Sequence, residues 1–234
     1  MIGEPRRHEP SCESTQELLF GRGLPEGAVA TTDHQTVGRG RLGRTWVEEP
    51  GTALLVSVLL RPPADRRAPE LSLVAAVAVA LAVEHATGLS AQVKWPNDVM
   101  LDRHKVAGIL AELRSDEVVV GIGLNVNQTR DQLPADARTQ AASLRTVTGH
   151  EHDREAVLTE FLARFDEAYG AWLAGGLDAL YAELGPRDFL RGRRVRHEGV
   201  EATGVMVDRA GRLVLDVAGG DERRTVESGE VELL

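Results

Sequence analysis

One cysteine, Cys12, is all the thiol this 234-residue chain contains. No internal disulfide can form, and a disulfide-stapled scaffold is excluded. With its histidines scattered as well, a zinc centre is not expected. The lone thiol fits a reducing cytoplasm, the expected location. Net charge is -9 and aromatic residues make up 4% of the chain, so a surface that holds nucleic acid by charge and stacking is not expected either. The longest apolar run, Leu73 to Val83, falls short of the ~20 residues a bilayer crossing needs, and reads as a buried helix. No membrane partner is expected. Several nucleotide and hydrolase signatures are missing too. No G-x-x-x-x-G-K-[ST] loop occurs and no G-x-S-x-G elbow. Gly38, Gly40 and Gly43 do satisfy G-x-G-x-x-G, but the following Trp46-Val47-Glu48-Glu49-Pro50 cannot open the helix a dinucleotide fold requires. Lysine is nearly absent: of 27 basic residues only Lys94 and Lys105 are lysines.

What is present reads as alternating strands and helices. The polar residues 1–10 read as a flexible tail. Glu13 to Leu19 reads as a helix start, with Ser14 or Thr15 as its cap. Ala28–Thr32 and Thr52–Leu60 read as strands, and Pro69–Thr87 as an alanine- and valine-rich helix closed by Gly88. Gln92–Trp95, Val99–Leu101, Lys105–Leu113 and Val118–Val126 are further strands, the last two joined as a hairpin through Arg114–Glu117. Gln128–Arg138 reads as a polar loop and Ala141–Thr148 as a short helix. Phe161, Phe165, Tyr169 and Trp172 recur at helical spacing after a capping Asp153, and Leu177–Leu184 adds one more short helix. Beyond these, isolated valines and leucines alternate between glycines, the pattern of a small β-barrel of about five strands. The expected architecture is α+β. A mainly antiparallel mixed sheet packed with helices spans residues 11–186, and a small barrel spans 187–234.

Four stretches join polar side chains to abrupt glycine or proline geometry. They are Gly38 to Trp46, Lys94-Trp95-Pro96-Asn97-Asp98, Lys105 to Leu110, and Gly121-Ile122-Gly123-Leu124-Asn125-Val126-Asn127. Both lysines lie inside them. No acidic residue stands between Asp33 and Glu48, so the first stretch is a basic island in an acidic chain. Arg39, Arg41, Arg44, Lys94 and Lys105, brought together, would repel one another unless they held an anion. A nucleoside triphosphate with Mg2+ meets that need. Trp46 can then cover an adenine face, Asn97 and Asn125 can read polar edges, and Asp98 can meet Mg2+ through water. Gly108 and Gly121, within strands, let a ligand approach the sheet closely. The glycine-arginine segment reads as a mobile lid.

These motifs, in this order, resemble the biotin–protein ligases, the enzymes that attach biotin to the biotin carboxyl carrier protein of acetyl-CoA carboxylase. The resemblance runs over residues 11–234. It implies a class II synthetase-like catalytic domain followed by an SH3-like barrel. It also implies ATP and biotin as substrates with Mg2+, and biotin-accepting carboxylase domains as partners. Ser14, Thr15, Gln16, Gln35, Gly38, Arg39, Gly40, Arg41, Lys105, Gly108 and Gly121 match biotin-binding positions. Arg41, Arg44, Trp46, Lys94, Asn97 and Asn125 match positions around ATP, and Lys105, Arg41 and Lys94 are the expected catalytic groups. Gln16 departs from the family's asparagine and Glu13 from its aspartate. Some members carry an N-terminal helix-turn-helix that represses transcription. This sequence starts too late for one, so a ligase without operator binding, monomeric or weakly dimeric, is expected. Two alternatives stay open: a lipoate–protein ligase of the same superfamily, and an arginine-loop nucleic-acid-binding module.

Overall fold

A computed structural model of the chain describes residues 1–134, 140–219 and 222–234. Its interior is organised by β3 (Ala53–Leu60), whose residues are all buried. Successive side chains of a strand point to opposite faces, and β3 has two cores to serve. Leu54, Val56, Val58 and Leu60 join the large core covered by α1 (Leu71–Thr87) and α3 (Arg154–Gly175). Leu59 joins a smaller cluster with Leu19 and Phe20, and Ser57 shares that second face.

Seven strands form the main sheet in the order β1-β2-β3-β7-β6-β5-β4. They are β1 (Arg6–Glu9), β2 (Val29–Thr32), β3, β4 (Ala91–Lys94), β5 (Asp98–Leu101), β6 (His104–Arg114) and β7 (Glu117–Asn125). Every neighbouring pair is antiparallel except β1 with β2. Five strands, β8 (Arg194–His197), β9 (Val200–Val207), β10 (Leu213–Val217), β11 (Arg223–Val226) and β12 (Val231–Leu233), form a second antiparallel sheet in the order β11-β10-β9-β8-β12. The expected mixed α+β architecture with a small C-terminal β unit is present.

The two sheets are tied together beside β4. Phe189 N–H donates to the Val93 carbonyl at 3.0 Å, and the Trp95 indole N–H donates to the Gly211 carbonyl at 3.0 Å. Gly211 has φ +75°, and a β-carbon there would sit 2.8 Å from Leu177. Glycine is required at that turn for both reasons.

Two expectations need correction. Residues 1–10 are not a free tail: Arg6–Glu9 adds an edge strand parallel to β2, Ile2 is buried, and Arg6 makes a bidentate pair with Glu155. An edge strand that turns its side chains to water is built by backbone pairing, so its sequence looks like coil. Thr15–Leu18 is a single 3₁₀ turn, and Ser14 makes no side-chain cap. The segment Ala68–Thr87 is 20 residues long and apolar enough to cross a membrane by length and composition. As expected it is a buried core helix, with Leu71, Val74, Val77 and Ala78 fully buried. Asp153 caps α3 as expected, accepting from the Glu155 and Ala156 N–H groups. The short helix expected at 141–148 is α2 (Leu144–Thr148), and the one at 177–184 is a 3₁₀ turn followed by α4 (Tyr181–Leu184). Part of the expected loop, 135–139, and the second glycine of Gly219-Gly220 lie outside the described residues.

Candidate active site

The site begins with missing side chains. Gly108 on β6 pairs directly with Gly123 on β7, and Gly121 pairs with Leu110 on one side and Ser57 on the other. Gly121, Gly123 and Asn125 share one face by strand parity. A patch of sheet is thereby left bare, and a cavity of about 260 Å³ stands over it.

Four other elements wall this cavity. The 3₁₀ turn supplies Ser14, Thr15 and Gln16, and the basic loop supplies Gln35, Arg39, Gly40, Arg41, Arg44 and Trp46. The β4–β5 connection brings Lys94, Asn97 and Asp98, and β6 adds Lys105. The fourth wall comes from the C-terminal sheet, as Gly229, Glu230, Val231 and Glu232. Thus all the residues singled out from sequence except Gly38 line one cavity. Gly38 acts in the loop backbone. Its carbonyl accepts from Trp46 N–H at 3.0 Å, and a β-carbon there would lie 2.3 Å from the Trp46 carbonyl oxygen.

Each loop cation is held by a different part of the wall. Arg39 donates to Glu17 at 2.7 Å and to Gln16 Oε1 at 3.4 Å, and lies 3.5 Å from Glu112. Arg41 donates to Asn97 Oδ1 at 3.1 Å, while Asn97 Nδ2 donates to the Ile109 carbonyl. Arg44 pairs with Glu230. Burial pushes the Arg41 guanidinium below its ordinary value, Asp98 opposes that shift, and Arg44 adds to it. Lys94 is buried at 7% exposure. Lys105 Nζ stands 2.6 Å from Asp98 Oδ1. The two side chains form an ion pair across the cavity wall.

The ring of Trp46 lies on the bare patch. A β-carbon at Gly123 would meet it at 2.5 to 2.8 Å, and one at Gly108 at 3.2 Å. Its buried indole nitrogen has no partner among the described residues. Gln16 is 2% exposed and crosses the sheet to donate to the Leu110 carbonyl at 2.8 Å. Glycine at 121 leaves room for this placement, since a β-carbon there would lie 2.8 Å from Gln16 Nε2 and the amide would have to shift. Gln35 Oε1 accepts from Thr15 N–H at 2.9 Å, and the Thr15 hydroxyl bonds the Ser57 hydroxyl at 2.7 Å.

Glu17, Glu112, Glu230 and Glu232 were not named as site residues from sequence, and Gly123 was named only within its stretch. Gly123 follows Gly121 at strand period and could have been found by that parity. Nothing local marks the glutamates, which reach the site through the tertiary fold. Glu17 carries a measurable consequence. Hydrogen bonding from Arg114, and then the charge and hydrogen bond of Arg39, hold its carboxyl at about 2 against an ordinary 4.5. A carboxylate depressed in the folded state adds stability above its ordinary pKa. That contribution is lost as pH falls from 4.5 toward about 2. Glu17→Gln should therefore flatten the acid limb of the melting temperature profile in that window. An acid limb identical to that of the parent chain would count against the pairing.

Residues 9–128 match the biotin/lipoate A/B protein ligase family. The bifunctional ligase/repressor BirA of Bacillus spizizenii is 37% identical over 71% of this chain and 53% of its own length, so the chain spans about half of that relative. The biotin–(acetyl-CoA-carboxylase) ligase of Paracoccus denitrificans is 34% identical over 88% of this chain and 94% of its own. Among solved structures, the biotin protein ligase from Aquifex aeolicus in complex with biotin and ATP aligns with a TM-score of 0.89 at 31% identity, covering 99% of both chains. With its glycine-floored, cation-walled cavity and these relatives, the chain belongs to the biotin/lipoate A/B protein ligase family, on its biotin–protein ligase branch.

Proposed function

We propose that this chain is an ATP-dependent ligase that activates biotin as biotinyl-5′-AMP and transfers it to a lysine of a biotin carboxyl carrier protein. One observation carries this reading: in a chain of net charge -9, three arginines and both lysines converge on one cavity above a bared strand pair. The Aquifex relative, named for its complex with biotin and ATP, supports the same ligand pair. The Paracoccus relative, named a biotin–(acetyl-CoA-carboxylase) ligase, supports the acceptor class.

In the first step a biotin carboxylate oxygen attacks the α-phosphorus of ATP, and the bond to pyrophosphate breaks. Two anions must meet, so fixed positive charge is the main requirement. Lys105 and Lys94 would shield the carboxylate and phosphates, with Arg41 and Arg44 on phosphate oxygens. Arg44 would exchange Glu230 for phosphate as the nucleotide binds. In the second step the acceptor amine attacks the acyl carbon, AMP leaves, and an amide remains. The mixed anhydride is open to water, so a closing loop protects it.

Magnesium would arrive on the triphosphate. Asp98, next to Asn97 on the cavity wall, would meet the cation's hydration shell as Lys105 Nζ, now 2.6 Å from its Oδ1, turns to phosphate. Among the described residues no group of three His, Cys, Asp or Glu is placed to hold a metal unaided. We assign residues 11–186 to catalysis and 187–234 to a small domain that closes the cavity through Glu230 and Glu232. We further propose that the enzyme is cytoplasmic and acts as a monomer or weak homodimer without nucleic acid.

The test is transfer itself. Incubation with ATP, biotin and an isolated acceptor domain should add one biotin to one lysine, read by intact mass and peptide mapping. Lipoate in place of biotin should add nothing. Equal modification by lipoate would move the chain to the family's other branch. A second outcome follows from the sheet floor. Gly123→Ala should push the Trp46 ring off the strand and weaken ATP binding about tenfold in calorimetry, the usual cost of an overpacked contact. Unchanged affinity would mean that the ring position does not shape the pocket.

A further inference from the structure

Glu48 closes the basic loop at its base. Two backbone bonds cross the loop, Gly40 N–H to the Arg44 carbonyl at 2.7 Å and Trp46 N–H to the Gly38 carbonyl at 3.0 Å. The next crossing is made by a side chain. Glu48 Oε1 accepts from Gln35 N–H at 2.9 Å and faces His34 Nδ1 at 3.1 Å. The Glu48 side chain is 1% exposed, and its Oε2 has no hydrogen-bond partner among the described residues. A buried carboxylate left half satisfied is costly to the fold. Besides this crossing the loop is held by its three arginines and the Trp46 ring, while its apolar side chains Val37, Leu42 and Val47 are 55%, 71% and 64% exposed.

The clasp leads into the cavity. Gln35, fixed by Glu48 through its N–H, uses its side-chain carbonyl to fix Thr15, and Thr15 is anchored to Ser57. Gln35 and Thr15 both line the cavity. We propose that Glu48 is a positioning residue for ligand capture. Its carboxylate joins the two ends of the loop, sets Gln35 and Thr15 against the ligand, and governs how long the loop stays closed. Only the ligand's identity in this proposal rests on the biotin-ligase reading.

Two readouts test it, one independent of activity. Cys12 is the only cysteine. Its backbone is bonded to the His34 carbonyl and to Thr36 N–H at the loop base, so labelling of its thiol in the ligand-free protein reports opening there. Glu48→Ala should raise the labelling rate and the escape of biotinyl-5′-AMP each about tenfold, the worth of one charge-assisted hydrogen bond. KM for biotin should rise while kcat for pyrophosphate exchange stays within about twofold. Glu48→Gln, which still accepts from Gln35, should recover labelling and escape to within about threefold of the parent. Glu48→Asp, whose shorter side chain withdraws from Gln35, gives the same reading if Glu48→Ala does not fold. Labelling and escape rates equal to those of the parent overturn the proposal. So does a Glu48→Gln chain as impaired as Glu48→Ala with a matching fall in melting temperature, since that marks general loosening. A parent chain with no biotin-dependent exchange would instead defeat the biotin reading, and Cys12 labelling would still decide the clasp.

Discussion

Lys105→Met should lower biotin-dependent adenylation by about 10²- to 10³-fold, the scale on which one preorganised charge acts at a reacting centre. The argument is local. Lys105 sits at the start of β6, two residues beyond the β5–β6 turn, with Nζ 2.6 Å from Asp98 and within 3.3 Å of where a β-carbon on Gly108 would stand. It is therefore aimed at the bare patch where an acid's carboxylate would lie. Methionine keeps the stem and removes the charge, so packing against Gly108 survives. The melting temperature should change little, because removing Lys105 leaves Asp98 able to meet water at its partly exposed edge. The rate is to be read by pyrophosphate exchange at saturating ATP. If the loss appears only in KM for biotin, with kcat intact, Lys105 holds the ground state and does not serve the transition state.

Arg41→Gly should retain the first step in part and lose containment of its product. Arg41 spans the cavity from the loop to Asn97, a crossing between segments 56 residues apart. Burial already destabilises its charge, so the interaction is suited to tighten when an anion replaces water at the guanidinium. Without it the loop is left with Arg39 and Arg44 as its cationic anchors to the wall, and the crossing nearest the nucleotide motif is gone. The half-life of enzyme-held biotinyl-5′-AMP should fall by about tenfold or more, one tenfold for each ~1.4 kcal/mol of lost contact. Lysines of bystander proteins should then become biotinylated in proportion. Retention equal to the parent's would show that the loop closes without this contact, and the role of Arg41 as a clasp on the adenylate would be abandoned.

Much of the fold could be read from residue order because each element carries its own signal. The apolar run of β3, the alternation in β6 and β7, and the capped periodicity of α3 are local patterns that the tertiary structure reinforces. Edge strand β1 was misread for the opposite reason: its side chains face water and its order comes from backbone pairing with β2. The cavity's cations were legible because arginine and lysine gather in short motifs beside glycine. Their counter-charges were not. Glu17 is separated from Arg114 by 97 residues, and Glu230 joins the site only because β12 and the preceding turn fold back over the loop. Gly123 was within reach of parity reasoning, since its side-chain direction follows from that of Gly121. In the sequence Glu48 only bounds the basic island, and the folded chain shows it returning to Gln35.

The central claim is that this cavity joins a biotin carboxylate to the α-phosphate of ATP, and radiolabelled pyrophosphate exchange into ATP by the purified chain tests it most directly. The account expects exchange that requires biotin, is not supported by lipoate, and falls by about 10²- to 10³-fold in Lys105→Met. Exchange that proceeds without biotin, or that lipoate supports equally well, would contradict it.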